Sequence, residues 1–119
     1  MLGASKGLGK AVALALLAEG AAVTTAAPMR DAIEGWKAEL PGDQAARLTV
    51  HDLDLFESLL PAGVDVLVNN CGGPAPGGVV GTPSDTWSRA FASMAGAVFQ
   101  LTDRMIGPTL DRQWGRIIT

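Results

Sequence analysis

The stretch MLGASKGLG, residues 1–9, governs the interpretation of the whole chain. Its glycines stand at Gly3, Gly7 and Gly9, in the spacing G-x-x-x-G-x-G, and an apolar run follows at once. A strand that ends at Leu2, turns at Gly3 and enters a helix near Gly7 would direct unbonded helix N–H groups toward one point. Such a point binds an anion, because free donors and the positive end of the helix dipole both favour negative charge. The alternative is a purely structural turn ahead of a packed helix.

Composition limits the class of protein. The chain has 119 residues, 48% of them hydrophobic, and a formal net charge of −3, which suits one globular domain over residues 1–119. No Lys/Arg cluster is present, so we expect no nucleic-acid partner. Cys71 is the single cysteine, which fits a reducing compartment. We see no signal peptide and no apolar run long enough for a membrane, and we expect a cytoplasmic protein without a membrane partner.

Helical and extended patterns alternate along the chain, which predicts an α/β fold with a parallel sheet and helices on both faces. The first helix is apolar nearly all round, which predicts that it is mostly buried. Six apolar residues at helical spacing predict the last helix, which Gly107-Pro108 should end or kink: Trp87, Phe91, Met94, Val98, Leu101 and Met105. Of these, Phe91, Met94, Val98 and Leu101 are predicted to face the core. The predicted helices cover 7–19, 28–40, 54–60 (a weak turn) and 85–113, the strands 22–26, 47–51, 64–68 and 115–118, and the loop 72–81.

Four ordered landmarks resemble the short-chain dehydrogenase/reductase family. They are the glycine stretch, Asp52-Leu53 after one predicted strand, Asn69-Asn70-Cys71-Gly72 after the next, and Trp87 and Phe91 followed by WGRII at 114–118. The loop GGPAPG at 72–77 is similar to a subgroup described as resembling 3-oxoacyl-acyl-carrier-protein reductases. The resemblance covers the whole chain, but the chain matches only about the first half of such a protein. It implies a Rossmann-like doubly wound parallel sheet, here incomplete, with the first strand and the C-terminal half missing, so that residues 1–119 form a partial NAD(P)-binding domain.

The resemblance implies that the glycine stretch binds the cofactor. Gly3, Gly7 and Gly9 would shape the turn around the pyrophosphate. Ser5 and Lys6 would contact phosphate or ribose, and Leu8 would lie beneath the nicotinamide side.

Two further groups carry implied cofactor contacts. Asp52 would accept a hydrogen bond from the adenine amino group, with Leu53 packed beside it; the alternative is a solvated turn aspartate. Asn70, Cys71 and Gly72 would lie along the cofactor ribose, and Asn69 would tie strand ends together. Cys71 is interpreted as a small buried side chain rather than a reactive thiol. His51 is the only histidine, so no His-based metal site is expected.

The predicted cofactor is NADP, with NAD also possible. An NAD enzyme places an acidic residue after the second strand to bind the ribose 2′-hydroxyl. None follows Thr25, where the sequence reads Ala26-Ala27-Pro28. Lys6, and secondarily Arg30, could instead neutralise a 2′-phosphate.

No catalytic residue of the family is expected in this chain. The family's Ser, Tyr and Lys would lie beyond Thr119, and the sequence contains no tyrosine. Met94 stands where the family often has an Asn, and a thioether is a poor hydrogen-bond partner. We therefore expect residues 1–119 alone to be inactive and poorly stable, and we interpret Met1 as a misassigned start or the edge of a sequence contig rather than a true terminus.

The implied function is hydride transfer between nicotinamide and a small-molecule carbonyl or alcohol, carried out by an NAD(P)-dependent oxidoreductase of which this chain is a fragment. Two alternatives stay open: a non-catalytic Rossmann-type binding domain, and an S-adenosylmethionine-dependent methyltransferase. A second apolar row on the last helix predicts a homo-oligomer contact in the full-length protein, and the alternative is a helix covered by the protein's own C-terminal half. The row consists of Ala92, Ala95, Phe99 and Ile106.

Overall fold

The computed structural model describes residues 1–52, 63–73 and 76–119. The chain forms two compact bodies, Met1–Ala62 with Thr119, and Gly63–Ile118. The helical turn predicted over 54–60 and the loop residues Pro74 and Ala75 lie outside the described residues.

The first body alternates helices with two parallel strands. The strands pair from Val23 opposite Leu48 to Ala27 opposite Asp52, as the alternation predicted. The short helix α3 was not predicted, because 41–43 was interpreted only as the end of the preceding helix. The elements are α1 Gly7–Ala18, β1 Val23–Ala27, α2 Arg30–Lys37, α3 Gly42–Ala46 and β2 Leu48–Asp52.

Met1 and Leu2, which precede the glycine turn, pair with β1. Leu2 forms a parallel bridge with Ala26. The Ala26 N–H donates to the Met1 carbonyl at 3.2 Å, and the Gly3 N–H donates to the Ala26 carbonyl at 3.1 Å. Leu2 is 6% exposed and Ala26 is fully buried. The end of the predicted first strand is therefore present, and β1 lies between it and β2.

Helix α1 is less buried than its composition predicted. Gly9, Ala13 and Leu17 are its buried residues, spaced four apart along a single stripe. The prediction of a mostly buried helix was wrong, because contact with one layer covers only one face of a helix. The helix ends in a Schellman motif at Gly20, whose φ is 86°. The guanidinium of Arg47 donates to the Leu17 carbonyl at 2.9 Å and so joins this helix end to the start of β2.

The second body contains one parallel strand pair and a long helical segment. The strands pair from Val66 opposite Arg116 to Val68 opposite Ile118. Ser84 begins the helix but makes no side-chain cap. In the part of the chain that the structure describes, no helix is long and apolar enough to cross a bilayer. The elements are β3 Val66–Val68, α4 Ser84–Phe91, a π-helical segment Ala92–Gly96, α5 Ala97–Asp111 and β4 Arg116–Ile118.

The π-helical segment interrupts the long helix. No residue of α4 or of the π-helical segment is buried, whereas Leu101 and Met105 of α5 are buried. Leu101 is buried as predicted, but Phe91 and Met94 are 64% and 42% exposed. The core prediction for Phe91 and Met94 was wrong, because a 3.6-residue period identifies the apolar face of a helix but not what covers that face.

The helix continues through Gly107-Pro108, which was predicted to end or kink it, toward the predicted end near residue 113. Pro108 lies inside α5, which runs to Asp111. The chain then turns at Gln113, whose φ of 53° is in the left-handed region. The Gln113 N–H donates to the Leu110 carbonyl at 3.0 Å, and the Trp114 N–H to the Thr109 carbonyl at 3.3 Å, which is a Schellman end.

Candidate functional site

The glycine turn connects the Leu2 bridge to α1 with two residues in the left-handed region. Gly3 has φ 69° and Gly7 has φ 57°, conformations that cost a side chain about 1–2 kcal/mol. No atom lies within 4 Å of the position that a Cβ would take at Gly7, so the surface there is open. Both glycines are therefore required by backbone geometry, and Gly7 presents bare backbone at the start of the helix.

The first turn of α1 is suited to an anion. It contains no acidic residue, and no side chain caps it. By contrast, α2, α3 and α4 carry Asp31, Asp43 and Asp85 in their first turns. Free N–H groups and the helix dipole favour negative charge at this position, and α1 lacks the internal anion that α2, α3 and α4 supply.

A buried tryptophan of α2, Trp36, lies against the turn. The Trp36 indole N–H donates to the Ala4 carbonyl at 3.2 Å. Ala4 is fully buried and Trp36 is 5% exposed. The Lys10 ammonium lies 5.7 Å from the centroid of the Trp36 ring, within cation–π range. On the outer side, Lys6 is exposed, Ser5 is half-buried and Leu8 is 74% exposed.

The carboxyl ends of β1 and β2 bring a cation beside Asp52. Ala27 lies opposite Asp52 in the strand register, and neither Ala26 nor Ala27 supplies a charge. Arg30, the first residue of α2, places a guanidinium nitrogen 3.7 Å from Asp52 Oδ2 and another 3.4 Å from Glu34 Oε1. The side chain of Arg30 is 47% exposed, so part of it stays open to solvent. Leu53 lies outside the described residues.

The segment Asn69 to Gly72 follows β3 in the second body. The buried Asn69 donates its backbone N–H to the Ile118 carbonyl at 2.8 Å, which extends the pairing with β4. Asn70 and Cys71 are half-buried and Gly72 is exposed. Burial raises the pKa of the Cys71 thiol above its usual range, so the group is a thiol at neutral pH.

Met94 lies at the middle of the π-helical segment, a feature that the 3.6-residue pattern could not reveal. His51 lies on β2, opposite Ala26. Over residues 1–52, 63–73 and 76–119, no three His, Cys, Asp or Glu side chains are grouped as metal ligands.

Comparison with known proteins adds a family match over the whole chain. The model of a family described as short chain dehydrogenase matches residues 1–119. Nodulation protein G of Rhizobium sp. (strain N33) is 34% identical over 123 residues, which cover 98% of this chain and 50% of that protein. The 3-oxoacyl-acyl-carrier-protein reductase FabG of Salmonella typhimurium is 30% identical over 124 residues, covering 98% of this chain and 51% of that protein.

Solved structures agree on the fold. YwfH, described as an NADPH-dependent reductase involved in bacilysin biosynthesis, superimposes with a TM-score of 0.76 at 26% identity. The match covers 98% of this chain and 53% of that one. The chain thus spans about half the length of the curated relatives it matches. The predicted fold class, an incomplete Rossmann-like doubly wound α/β arrangement, is confirmed.

Proposed function

The chain belongs to the short-chain dehydrogenase/reductase family, and from this we propose that the whole protein is an NADP-preferring oxidoreductase acting on a small-molecule carbonyl or alcohol. The observation that carries the proposal is the glycine turn, which joins a buried strand end to a helix whose first turn lacks both an acid and a side-chain cap. The bound cofactor would supply the hydride, and this chain's residues would hold and orient it.

The open space at Gly7 and the absence of an acidic residue in the first turn of α1 support pyrophosphate binding at this turn. Open space over Gly7 allows an anion to approach the backbone, which a side chain would prevent. Gly3, Gly7 and Gly9 would shape the turn, and Ser5 and Lys6 would contact phosphate or ribose. The exposed Leu8 offers an apolar contact on the nicotinamide side.

The preference for NADP is supported by Arg30. The end of β1 supplies no carboxylate for a ribose 2′-hydroxyl, while Arg30 holds a guanidinium at the neighbouring strand end. A guanidinium binds phosphate with paired donors, and part of Arg30 is open to solvent. YwfH, whose structure is similar, is itself described as NADPH dependent.

We assign the remaining cofactor contacts from the family pattern. Asp52 would accept from the adenine amino group with Leu53 beside it, and Asn70, Cys71 and Gly72 would lie along the ribose. Residues 1–119 contain no tyrosine, so they would bind the cofactor without supplying the family's general acid. We further propose a cytoplasmic homo-oligomer.

A non-catalytic nucleotide-binding domain is the second candidate function, favoured by one observation. Met94 stands at the family's Asn position, and its thioether cannot hold a water as an amide does. Cofactor binding without turnover by the whole protein would favour this candidate.

The experiment is cofactor titration of the whole protein with NADPH, NADH and S-adenosylmethionine, followed by turnover with a panel of ketones and aldehydes. We expect NADPH to bind more tightly than NADH and to be oxidised with at least one carbonyl substrate. Binding of S-adenosylmethionine without either dinucleotide would overturn the proposal.

A further inference from the structure

Trp36 contacts the glycine turn through one hydrogen bond, and it also lies near the first turn of α1. Its indole N–H donates to the Ala4 carbonyl at 3.2 Å. Its ring lies 5.7 Å from the Lys10 ammonium, on the first turns of α1. Its side chain is buried with only 5% exposed, so the indole donor has little access to water.

We propose that Trp36 is a positioning residue that fixes the cofactor-binding shape of the glycine turn through its bond to the Ala4 carbonyl. This inference rests on the proposed function, because it concerns the same dinucleotide site. It adds a residue of α2 to that site, remote in sequence from the glycine stretch.

The geometry of the peptide group carries the argument. The bond between Ala4 and Ser5 is a planar trans peptide, in which C=O and N–H point in opposite directions. Because the Ala4 carbonyl points at Trp36, the Ser5 N–H points away from α2. Rotation of this peptide would break the Trp36 bond and turn the Ser5 N–H inward.

A second anchor lies one residue earlier. The Gly3 N–H donates to the Ala26 carbonyl at 3.1 Å. The peptide group between Leu2 and Gly3 is thus held by β1, and the peptide group between Ala4 and Ser5 is held by α2. Between them Gly3 takes the left-handed φ of 69°. Loss of the α2 anchor would leave the second peptide free to rotate about that glycine.

Packing alone does not explain a tryptophan at this position. Ile33, one turn earlier in α2, is fully buried and supplies an apolar contact without any polar group. A phenylalanine at position 36 would fill similar space. The feature specific to tryptophan is the N–H donor, which a buried indole needs to satisfy and which the Ala4 carbonyl satisfies here.

The test replaces Trp36 by Phe in the whole protein, which retains an aromatic ring and removes the donor. Trp87→Phe is the matched control, because Trp87 is 49% exposed on α4. Three quantities are measured: the Kd for NADPH and for NADH, the melting temperature without cofactor, and amide hydrogen exchange over residues 3–8. Loss of one hydrogen bond predicts that Trp36→Phe raises both Kd values by about three- to tenfold. Amide hydrogen exchange over residues 3–8 should be faster in Trp36→Phe. The Trp87→Phe control should change neither the Kd values nor this exchange.

The outcomes separate this inference from the proposed function. A Trp36→Phe protein with a lower melting temperature but with both Kd values within about twofold of the wild type would show that Trp36 contributes only to core packing. A wild type that binds neither dinucleotide would overturn the proposed function and this inference together. Binding by the wild type with unchanged exchange over residues 3–8 in the variant would overturn this inference alone.

A measurement on the unmodified residue covers the case in which Trp36→Phe fails to fold. In protein labelled with ¹⁵N-tryptophan, the indole resonances of Trp87 and Trp114 are identified from their Phe variants. Among the other indole resonances, that of Trp36 is identified by its through-space contacts to Ala4 and Lys10. We expect its proton to exchange slowly and its resonance to shift when NADPH saturates the protein. A fast-exchanging or unshifted Trp36 resonance would contradict the proposal.

Discussion

Arg30 is the residue that carries our proposal of NADP over NAD. Its guanidinium already contacts Asp52 and Glu34, at 3.7 and 3.4 Å. A cofactor 2′-phosphate would add a third and more strongly charged acceptor. Since the bond would form only with NADP, removing the guanidinium should weaken one cofactor and spare the other.

We predict that Arg30→Met in the whole protein raises the Kd for NADPH about tenfold and changes the Kd for NADH by less than about twofold. Titration by fluorescence measures both. Lys37→Met is the control, because it removes a cation from the same helix that also pairs with Glu34, at 3.9 Å. Equal losses for the two cofactors would assign Arg30 to adenine or to structure instead.

Cys71 reports on the ribose side of the proposed site. Burial raises the pKa of its thiol, so at pH 7 the reactive thiolate is scarce and the alkylation rate should increase with pH up to that raised pKa. We predict slower alkylation by iodoacetamide at pH 7 than for glutathione, and a further decrease of threefold or more in saturating NADPH. Mass spectrometry of the Cys71 peptide measures the rate, with S-adenosylmethionine as the control ligand. An NADPH-independent rate would place Cys71 away from the cofactor.

Gly115 is required by close packing at the start of β4. A Cβ there would collide with the Thr109 methyl group and lie 3.2 Å from the Asp65 carbonyl oxygen. Thr109 cannot easily rotate away, because its hydroxyl donates to the Met105 carbonyl at 2.7 Å. We predict that Gly115→Ala lowers the free energy of unfolding by about 1–3 kcal/mol, measured by urea denaturation. Gly107→Ala is the control: it meets open space in α5, where Ala is favoured over Gly by up to about 1 kcal/mol. Two variants of equal stability would contradict the clash.

At the scale of elements, the end of α5 stores strain at Gln113. The residue occupies the left-handed position of a Schellman motif, at φ 53°, where glycine is the usual choice. We predict that Gln113→Gly raises the free energy of unfolding by about 1 kcal/mol, because the Cβ penalty disappears. Gln44→Gly inside α3 should instead lower it by a similar amount. The same urea titrations compare them, and destabilisation by both variants would show that Gln113 is unstrained.

The elements that could be predicted from sequence have local causes. The strands at 23–27 and 48–52 lie within one residue of their predictions, because β-branched and alternating residues mark them. The π-helical segment at Ala92–Gly96 has no comparable local signal. The exposure of Phe91 and Met94 was not predictable either, because a 3.6-residue pattern does not contain what covers an apolar face.

At the scale of the whole molecule, the long helix presents an exposed apolar row. Phe99 is 65% and Ile106 is 39% exposed, and the exposed Ala92 and half-buried Ala95 continue the row. Exposed apolar rows on a helix are suited to another protein surface. We propose that in the whole protein a second copy covers this row.

We predict that Phe99→Glu shifts the whole protein from oligomer to monomer, because a buried unpaired carboxylate opposes association. Gln100→Glu adds the same charge at an exposed neighbouring position and should leave the oligomer intact. Light scattering coupled to size exclusion measures both masses. An unchanged mass for the Phe99 variant would contradict the assignment of this surface.

The candidate site was predictable only in part. The glycine spacing and the missing acid after β1 are readable from residues close together in sequence. The sequence does not reveal the hydrogen bond from Trp36 to Ala4 or the ion pair between Arg30 and Asp52. Each joins residues whose proximity depends on helix packing and on the strand register. Single-sequence patterns carry residue types and periods, but not the partner of a given donor.

The parallel pairing of β3 with β4 sets an order of events during synthesis on the ribosome. Val66–Val68 emerges first, and its partner Arg116–Ile118 follows about 50 residues later, after the whole helical segment between them. At about 5–20 residues per second, that delay is roughly 3–10 s. Throughout it, Leu67 and Val68, which are 2% and 8% exposed in the folded chain, lie on a strand without its partner. Nascent chains with such an edge are targets for chaperones and for aggregation. The yield of this protein should therefore depend on how quickly translation passes through the codons for residues 69–118.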